Sequence, residues 1–148
     1  IDAYCGIGTI GIIAAAEARQ VIGIEAGGDA VKNAVENCRL NHTHNYRVYK
    51  GDAGEVMDAL AAAGRGADVV FADPPRAGCS RAFLDAVLRM APEKMVYISC
   101  NPETLARDLV TLVKGKYRVN KIQPVDMFPH TKHVECVVLL SHKNVILP

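Results

Sequence analysis

The sequence lacks an excess of charge of either sign, because 17 lysines and arginines face 16 acidic residues and the formal net charge is +1. This balance excludes a protein that binds nucleic acid through its overall positive charge. If the chain does act on nucleic acid, the positive charge that binds phosphates must be clustered locally or lie outside this chain. The sequence also lacks a signal peptide and a hydrophobic run long enough to span a membrane. We therefore expect a cytoplasmic protein without membrane contacts, and we predict a monomer.

The C-x-x-C spacing of metal and redox sites is missing as well. The cysteines are an odd set spread along the chain at Cys5, Cys38, Cys79, Cys100 and Cys136. Such a set argues against a disulfide framework and against a zinc site, so we predict no metal. The 148 residues are enough for one domain with a sizeable core.

Short apolar, β-branched runs alternate with helical segments along the chain. The predicted strands are Ile1–Tyr4, Gln20–Glu25, Tyr46–Lys50, Ala67–Ala72, Lys94–Ser99, Tyr117–Pro124 and Val134–Ser141. The predicted helices are Thr9–Ala18, Gly28–Asn41, Ala53–Ala63, Ser80–Met90 and Pro102–Lys114. Alternation of this kind is typical of βαβ units in a parallel sheet that is covered on both faces.

No long helix separates the last two predicted strands, only the segment "VDMFPHTKH". These strands are therefore predicted to pair antiparallel as a hairpin. The whole pattern predicts an α/β fold with a doubly wound sheet, mostly parallel with an antiparallel last strand. Ligands of such a sheet bind outside the carboxyl ends of its strands, near the topological switch point.

The segment "CGIGTIG" places Gly6, Gly8 and Gly11 as G-x-G-x-x-G after the first strand and at the start of a helix. Glycine lets the backbone turn sharply and approach a ligand closely. Glu25 ends the second strand, where its carboxylate can accept hydrogen bonds from the hydroxyls of a ribose. This pattern fits S-adenosylmethionine as well as NAD, and the alternative is a purely structural turn. Asp52 ends the third strand and either accepts from an adenine amino group or caps the next helix.

The segment "FADPPRAG" follows the fourth strand. Two prolines stiffen this loop and remove two backbone donors. An enzyme that holds a planar base has use for such a loop, because Asp73 can fix an imide edge while rigid backbone shapes the slot. The alternative is a turn in which Asp73 caps a helix. Arg76 can meet a phosphate or pair with Asp73.

The segment "YISCNPETLARDL" takes the chain from the fifth strand directly into a helix. Asn101 suits the N-cap and Pro102 the first helical position, so Cys100 is predicted at the amino end of that helix. The partial positive charge there stabilises a thiolate. Glu135, at the start of the antiparallel last strand, is expected at the same edge. Taken alone, Cys100 would be interpreted as a small buried hydrophobic residue. Because the glycine loop and Glu135 are expected at the same edge of the sheet, a functional thiol is favoured instead.

Four segments, "DAYCGIGTIG", "DPPRAG", "YISCNP" and "DMFPHTKHVE", occur in an order that closely resembles the RNA 5-methyluridine methyltransferases acting on ribosomal or transfer RNA. The resemblance extends from Asp2 to about Leu140. It implies a class I methyltransferase fold, S-adenosylmethionine as the cofactor and RNA as the partner, with 23S ribosomal RNA preferred over transfer RNA. Members of the family also carry an N-terminal RNA-binding barrel and a central region. We therefore expect residues 1–148 to be the catalytic domain of a longer protein.

The resemblance also implies roles for individual residues. Cys100 would be the nucleophile, Glu135 the base that removes the C5 proton, and Asp73 a neighbour of the target uracil. The residues implied at the cofactor are Tyr4, Gly6, Gly8, Thr9, Glu25, Asp52 and Asp73. Among the other cysteines, only Cys79 in the loop competes seriously as nucleophile.

Several alternatives remain from the sequence. An oxidoreductase could use the same glycine loop, and a methyltransferase-like domain could bind RNA or a partner without catalysis. His130 and His133 flank the hairpin loop, where each is either a solvated side chain or a group that assists proton transfer or contacts phosphate. A modest basic rim is the further possibility for Arg76, Arg81, Arg107 and Lys132.

Overall fold

The computed structural model describes residues 1–144 of the chain. Seven strands and five helices alternate as the sequence predicts. In chain order they are β1 (Asp2–Ala3), α1 (Thr9–Ala15), β2 (Val21–Glu25), α2 (Gly28–Leu40), β3 (Tyr46–Lys50), α3 (Ala53–Ala62), β4 (Val69–Ala72), α4 (Arg81–Met90), β5 (Lys94–Ser99), α5 (Pro102–Lys114), β6 (Tyr117–Val125) and β7 (Glu135–His142).

The strands form one sheet in the order β3-β2-β1-β4-β5-β7-β6. Strands β1 to β5 pair parallel, while β7 pairs antiparallel with both β5 and β6. The doubly wound α/β sheet and the antiparallel hairpin are thus confirmed. The switch point lies between β1 and β4, because the chain leaves β1 toward β2 on one side and returns to β4 on the other.

Several elements are shorter than predicted, such as β4, which begins at Val69 instead of Ala67, and for β1 and α1 a local reason is visible. The first strand stops at Ala3 because Tyr4 takes φ +61°, outside the extended region. The first helix ends at Ala15 instead of Ala18. The side-chain amide of Asn45 donates to the carbonyls of Ala15 and Ala18, both at 2.8 Å, and so satisfies the end of the helix.

The apolar core occupies both faces of the sheet. The larger cluster contains Tyr97, Phe83, Met57 and Tyr117, all fully buried, and packs the sheet against α3, α4 and α5. The smaller cluster is built around Tyr46 on the side of α1 and α2. Because β1 to β5 run parallel, their carboxyl ends lie at a single edge of the sheet, and the amino end of the antiparallel β7 lies at the same edge.

Within residues 1–144, no helix has the length and apolar character that crossing a lipid bilayer requires. Nor do three or more histidine, cysteine or acidic side chains of this part of the chain converge in a way that could hold a metal ion.

Candidate active site

The glycine loop between β1 and α1 takes backbone angles that glycine accepts at little cost. Gly6 has φ +54° and Gly8 has φ +88°, both in the left-handed region. A Cβ added at Gly6 would meet no atom within 4 Å, so open space lies against the backbone there. The amide of Gly6 donates to Oε2 of Glu25 at 3.0 Å, and the amide of Gly27 donates to Oε1 at 2.7 Å. The acid that ends β2 therefore lies directly beside the loop.

The third glycine of the motif serves packing. A Cβ on Gly11 would lie 2.5 Å from Cζ of Tyr46, whose ring passes beneath α1. The Tyr46 hydroxyl and the Gly11 amide both donate to Oδ2 of Asp2, at 3.0 and 2.8 Å. Burial of Asp2, which is 1% exposed, raises the pKa of its carboxyl. Asp2 thus caps α1 from within β1, a function that Gly8 at the N-cap position cannot supply.

Tyr4 and Thr9 flank the glycine loop on its two sides. Tyr4 follows β1 directly, and its φ of +61° is uncommon for a residue with a Cβ. Its ring packs against Phe83 with the ring centroids 5.2 Å apart. Thr9 is exposed and is the first residue of α1. Both positions border the loop, and their contact with a cofactor stays a prediction.

Asp52 caps a helix. Its Oδ1 accepts from the amides of Gly54 and Glu55 at 2.8 and 3.2 Å, which satisfies two free donors at the start of α3. The structure therefore realises the capping alternative that the sequence left open. A contact with an adenine amino group would have to use the second carboxylate oxygen, because Oδ1 already has two donors.

Asp73 lies at the switch point, between the glycine loop and Cys100. Its amide approaches the carbonyl of Ala3 at 3.5 Å, and β4 pairs with β1 on one side and with β5 on the other. The cap of α4 is Ser80, so the alternative in which Asp73 caps that helix is wrong. Desolvation and, after it, the charge of Glu135 raise the pKa of Asp73. Asp73, directly after β4, and Glu135, at the start of β7, are thus close enough for the charge of one to affect the other.

Cys100 lies between the end of β5 and the first turn of α5. The predicted helix start is confirmed, because Asn101 is the N-cap and Pro102 the first helical residue. Oδ1 of Asn101 accepts from the amide of Glu103 at 3.1 Å. A thirteen-residue helix therefore begins two residues after Cys100, which lies at the amino end of that helix.

The register of β5 and β7 brings the two main candidates together. Ser99 pairs with Cys136 across the antiparallel ladder. The ladder ends at this pair, so Cys100 directly follows β5 and Glu135 begins β7 at the same end of the sheet. The thiol and the carboxylate thus belong to the same end of the sheet as the glycine loop.

Cys100 differs from the other cysteines in its exposure. It is partly exposed, whereas the buried cysteines are Cys5, Cys38, Cys79 and Cys136. Burial raises the pKa of Cys79 to about 12 and the pKa of Cys5 to about 11. A buried thiol with such a pKa stays protonated at neutral pH and is a poor nucleophile.

A cavity of about 380 Å³ opens beside Cys100. The start of α5 and the segment before β7 line it, together with Arg76 from the loop after β4. Nη2 of Arg76 lies 3.3 Å from Nδ1 of His133, and Lys132 borders the same space. Two cations, an imidazole and the acid Glu103 therefore line this cavity together with Cys100.

The other two arginines of the suggested basic rim are engaged in ion pairs. Arg81 pairs with Asp85 along α4, with Nε 3.0 Å from Oδ1. Arg107 pairs with the neighbouring Asp108, with Nη2 2.8 Å from Oδ1. The cationic part of the rim that faces the cavity is thus reduced to Arg76 and Lys132.

Two buried acids have roles that the sequence did not suggest. Asp2 and Asp108 are each 1% exposed, and both accept hydrogen bonds from main-chain amides next to the candidate site. For Asp108 a signal existed, because it shares the buried stripe of α5 with Leu105 and Leu112. A carboxylate on an apolar helix stripe indicates buried donors facing it.

Solved structures with this architecture identify the class of fold. Pyrococcus abyssi tRNA (uracil-54, C5)-methyltransferase in complex with S-adenosyl-L-homocysteine matches with a TM-score of 0.82 at 38% identity, over 94% of this chain and 33% of that one. Precorrin-6y C5,15-methyltransferase from Geobacter metallireducens matches with a TM-score of 0.75 at 17% identity, over 95% of this chain and 77% of that one, which shows the fold alone. The fold is that of the class I S-adenosylmethionine-dependent methyltransferases.

Sequence comparison narrows this class to a family. The profile of the tRNA (uracil-5-)-methyltransferases matches residues 1–143, and the chain belongs to this family. An uncharacterized RNA methyltransferase of Halalkalibacterium halodurans is 50% identical over 144 residues, which are 97% of this chain and 31% of that protein. One of Enterococcus faecalis is 48% identical over 141 residues, covering 95% and 31%. The chain thus spans about a third of the length of the curated relatives that it matches.

Proposed function

We propose that this domain catalyses the transfer of a methyl group from S-adenosylmethionine to C5 of uracil in RNA, with Cys100 as a covalent nucleophile. The observation that carries the proposal is the pairing of β5 with β7. It brings the residue with the partly exposed thiol and Glu135 to the same end of the sheet, at the edge that also carries the glycine loop. Family membership supports the reaction class.

The proposed chemistry needs a nucleophile because uracil C5 alone attacks a methyl donor poorly. The thiolate of Cys100 adds to C6, and the electron pair of the C5–C6 bond moves onto the ring as an enolate. C5 then forms the new carbon–methyl bond as the donor's methyl–sulfur bond breaks. Glu135 takes the proton from C5, and the returning electron pair restores the ring double bond and expels the thiolate. Covalent catalysis of this kind divides one difficult step into easier ones.

Residues at this edge of the sheet support these steps. The amino end of α5 stabilises negative charge on the sulfur of Cys100. A target base must leave the RNA stack to reach a thiol in a crevice. In our proposal Asp73 contacts the imide edge of that base, where a carboxylate oxygen can accept a hydrogen bond from the N–H.

The residues at β1 and β2 fit a cofactor that carries adenosine. The open space against Gly6 can admit a ligand close to the backbone, and in our proposal Glu25, beside this loop, accepts from ribose hydroxyls. When bound there, S-adenosylmethionine supplies an electrophilic methyl group. The proposed binding residues are Tyr4, Gly6, Gly8, Thr9, Glu25, Asp52 and Asp73.

Glu25→Ala in the complete protein is expected to weaken S-adenosylhomocysteine binding about 10- to 100-fold, the range for losing hydrogen bonds to a charged group. Isothermal titration calorimetry measures the affinity. Glu17→Ala is the matched control, because Glu17 is exposed and borders a cavity at the opposite edge of the sheet. Tight binding of NAD with no heat from S-adenosylhomocysteine would favour the oxidoreductase alternative instead.

For the RNA class we propose 23S ribosomal RNA, on the resemblance of the four motifs. Transfer RNA is the alternative that the name of the 38% identical Pyrococcus abyssi enzyme favours. Mass mapping of both RNAs from cells without the complete protein is the test. We expect one or more 5-methyluridines to disappear from 23S ribosomal RNA and to return with the unmutated gene. Loss confined to transfer RNA would overturn this choice, and loss from neither RNA would count against the function itself.

We further propose that the region outside this domain supplies most of the affinity for RNA. Non-specific RNA binding comes mainly from neutralised phosphates. The formal charge of +1 gives this chain little of that capacity, and its relatives are about three times as long.

A further inference from the structure

The helix that begins after Cys100 also holds the loop that follows β4. The side-chain amide of Asn101 and the hydroxyl of Thr104 both donate to the carbonyl of Arg76, each at 3.1 Å. One carbonyl thus accepts two side-chain donors from the first turn of α5. This contact fixes the loop at Arg76 relative to the helix start.

A second contact lies one turn further along α5. Oδ2 of Asp108 accepts from the amide of Cys79 at 2.8 Å and from the hydroxyl of Tyr97 at 2.7 Å. Its Oδ1 accepts from Nε of Arg107 at 2.9 Å, and Nη2 of Arg107 donates to the carbonyl of Ala77 at 2.9 Å. A buried carboxylate is costly unless its oxygens are bonded, and here three donors from the loop, β5 and α5 converge on it.

At Gly78 the loop lies so close to the Arg107–Asp108 ion pair that no side chain would fit between them. Gly78 has φ +80°, and a Cβ on it would lie 2.6 Å from both Nη2 of Arg107 and Oδ2 of Asp108. Glycine is therefore required at the end of the "DPPRAG" segment by the pair itself. The backbone between Ala77 and Cys79 has no room to shift toward α5.

We infer that Arg107 and Asp108 are positioning residues for methyl transfer: together they set the place of the loop that begins at Asp73 relative to Cys100. This inference rests on the proposed function. Asp108 joins the loop to α5 and to β5, the two elements between which Cys100 lies. Neither residue lines the cavity beside the thiol, so both act through the groups that they hold.

The variants separate this role from general stability. Asp108→Asn can keep its amide oxygen toward Cys79 and Tyr97, which leaves its NH₂ facing Arg107 and removes the bond from Nε together with the ion pair. Arg107→Gln removes the ion pair with Asp108 and the hydrogen bond to the carbonyl of Ala77. Arg107→Lys keeps the positive charge, on a single donor nitrogen in place of the guanidinium. Arg89→Gln is the matched control, because Arg89 forms an exposed ion pair between α4 and α3 with Asp58.

The measurement is the rate of covalent attachment of the complete protein to 5-fluorouridine RNA, with KM for RNA, S-adenosylhomocysteine affinity and thermal midpoint measured beside it. For Arg107→Gln and Asp108→Asn we expect attachment about 10- to 100-fold slower, the cost of misplacing reacting groups by about an ångström. KM and cofactor affinity should stay within about twofold. Arg107→Lys should recover part of the rate, and Arg89→Gln should match the unmutated protein.

Two results would overturn the inference. Unchanged attachment rates in all Arg107 and Asp108 variants would show that the pair does not position the site. A raised KM for RNA in Arg107→Gln, with a lowered KM in Asp108→Asn, would show that Arg107 binds phosphate and that Asp108 competes for it. If the unmutated protein forms no adduct, the proposed function itself fails. This outcome differs from the two results above, in which the unmutated protein does form the adduct.

Discussion

Cys100→Ala in the complete protein is expected to lower methyl transfer at least about 10⁴-fold, as the removal of a catalytic nucleophile does in other covalent enzymes. No covalent complex with 5-fluorouridine RNA should form, because no thiolate remains to add to C6. Denaturing gel electrophoresis with labelled RNA measures the complex. S-adenosylhomocysteine binding should persist, since the glycine loop lies at β1 and not at the end of β5.

Cys79→Ala is the matched control for this experiment. Cys79 is 5% exposed, and burial raises the pKa of its thiol to about 12. We expect the adduct to form at close to the normal rate in this variant. Adduct in Cys100→Ala, or its loss in Cys79→Ala without unfolding, would contradict the assignment of the nucleophile.

Glu135→Gln is expected to stop the cycle after the methyl group has been transferred. The thiolate of Cys100 still adds to C6, but the amide cannot remove the proton from C5, so the ring cannot expel the sulfur. Turnover should fall about 10²- to 10⁴-fold, the usual contribution of a general base. Methylated RNA that is covalently attached to the protein should accumulate with ordinary uridine and survive denaturing electrophoresis.

The control for this variant is Glu93→Gln, because Glu93 is exposed and precedes β5 at the opposite edge of the sheet. It should turn over normally and accumulate no adduct. Normal turnover in Glu135→Gln would show that another group removes the proton. His133, which lies beside the cavity, would then be the next residue to replace.

The sequence was sufficient for the elements and for the edge at which the site lies. Local signals carried these predictions: the period of the apolar residues, the turn at Gly6 and Gly8, and the Asn101–Pro102 helix start. The insertion of β7 between β5 and β6 was not predicted, because an antiparallel hairpin can join a sheet through either of its strands. Only long-range packing decides between these orders.

The buried polar contacts could not be predicted from the sequence for a different reason. Asp2 and Asp108 each receive donors from residues distant in the sequence, such as Tyr46 for Asp2 and Cys79 for Asp108. Whether a carboxylate can be buried depends on those partners, and spacing along one element does not reveal them. Gly11 is a further example. Its place in the glycine motif suggested a contact with a ligand, but a glycine is needed there because the ring of Tyr46 leaves no room for a Cβ.

Mass spectrometry of the covalent complex with 5-fluorouridine RNA tests the central claim most directly. The complete protein is incubated with this RNA and with S-adenosylmethionine labelled in its methyl group, and the attached peptide is then sequenced. We predict a nucleotide that carries the labelled methyl group, bound to the peptide containing Cys100, because fluorine cannot leave C5 as a proton does. A nucleotide bound to the peptide of Cys79 or another cysteine, or methyl transfer to ordinary uridine RNA with no covalent complex on the fluorinated RNA, would contradict it.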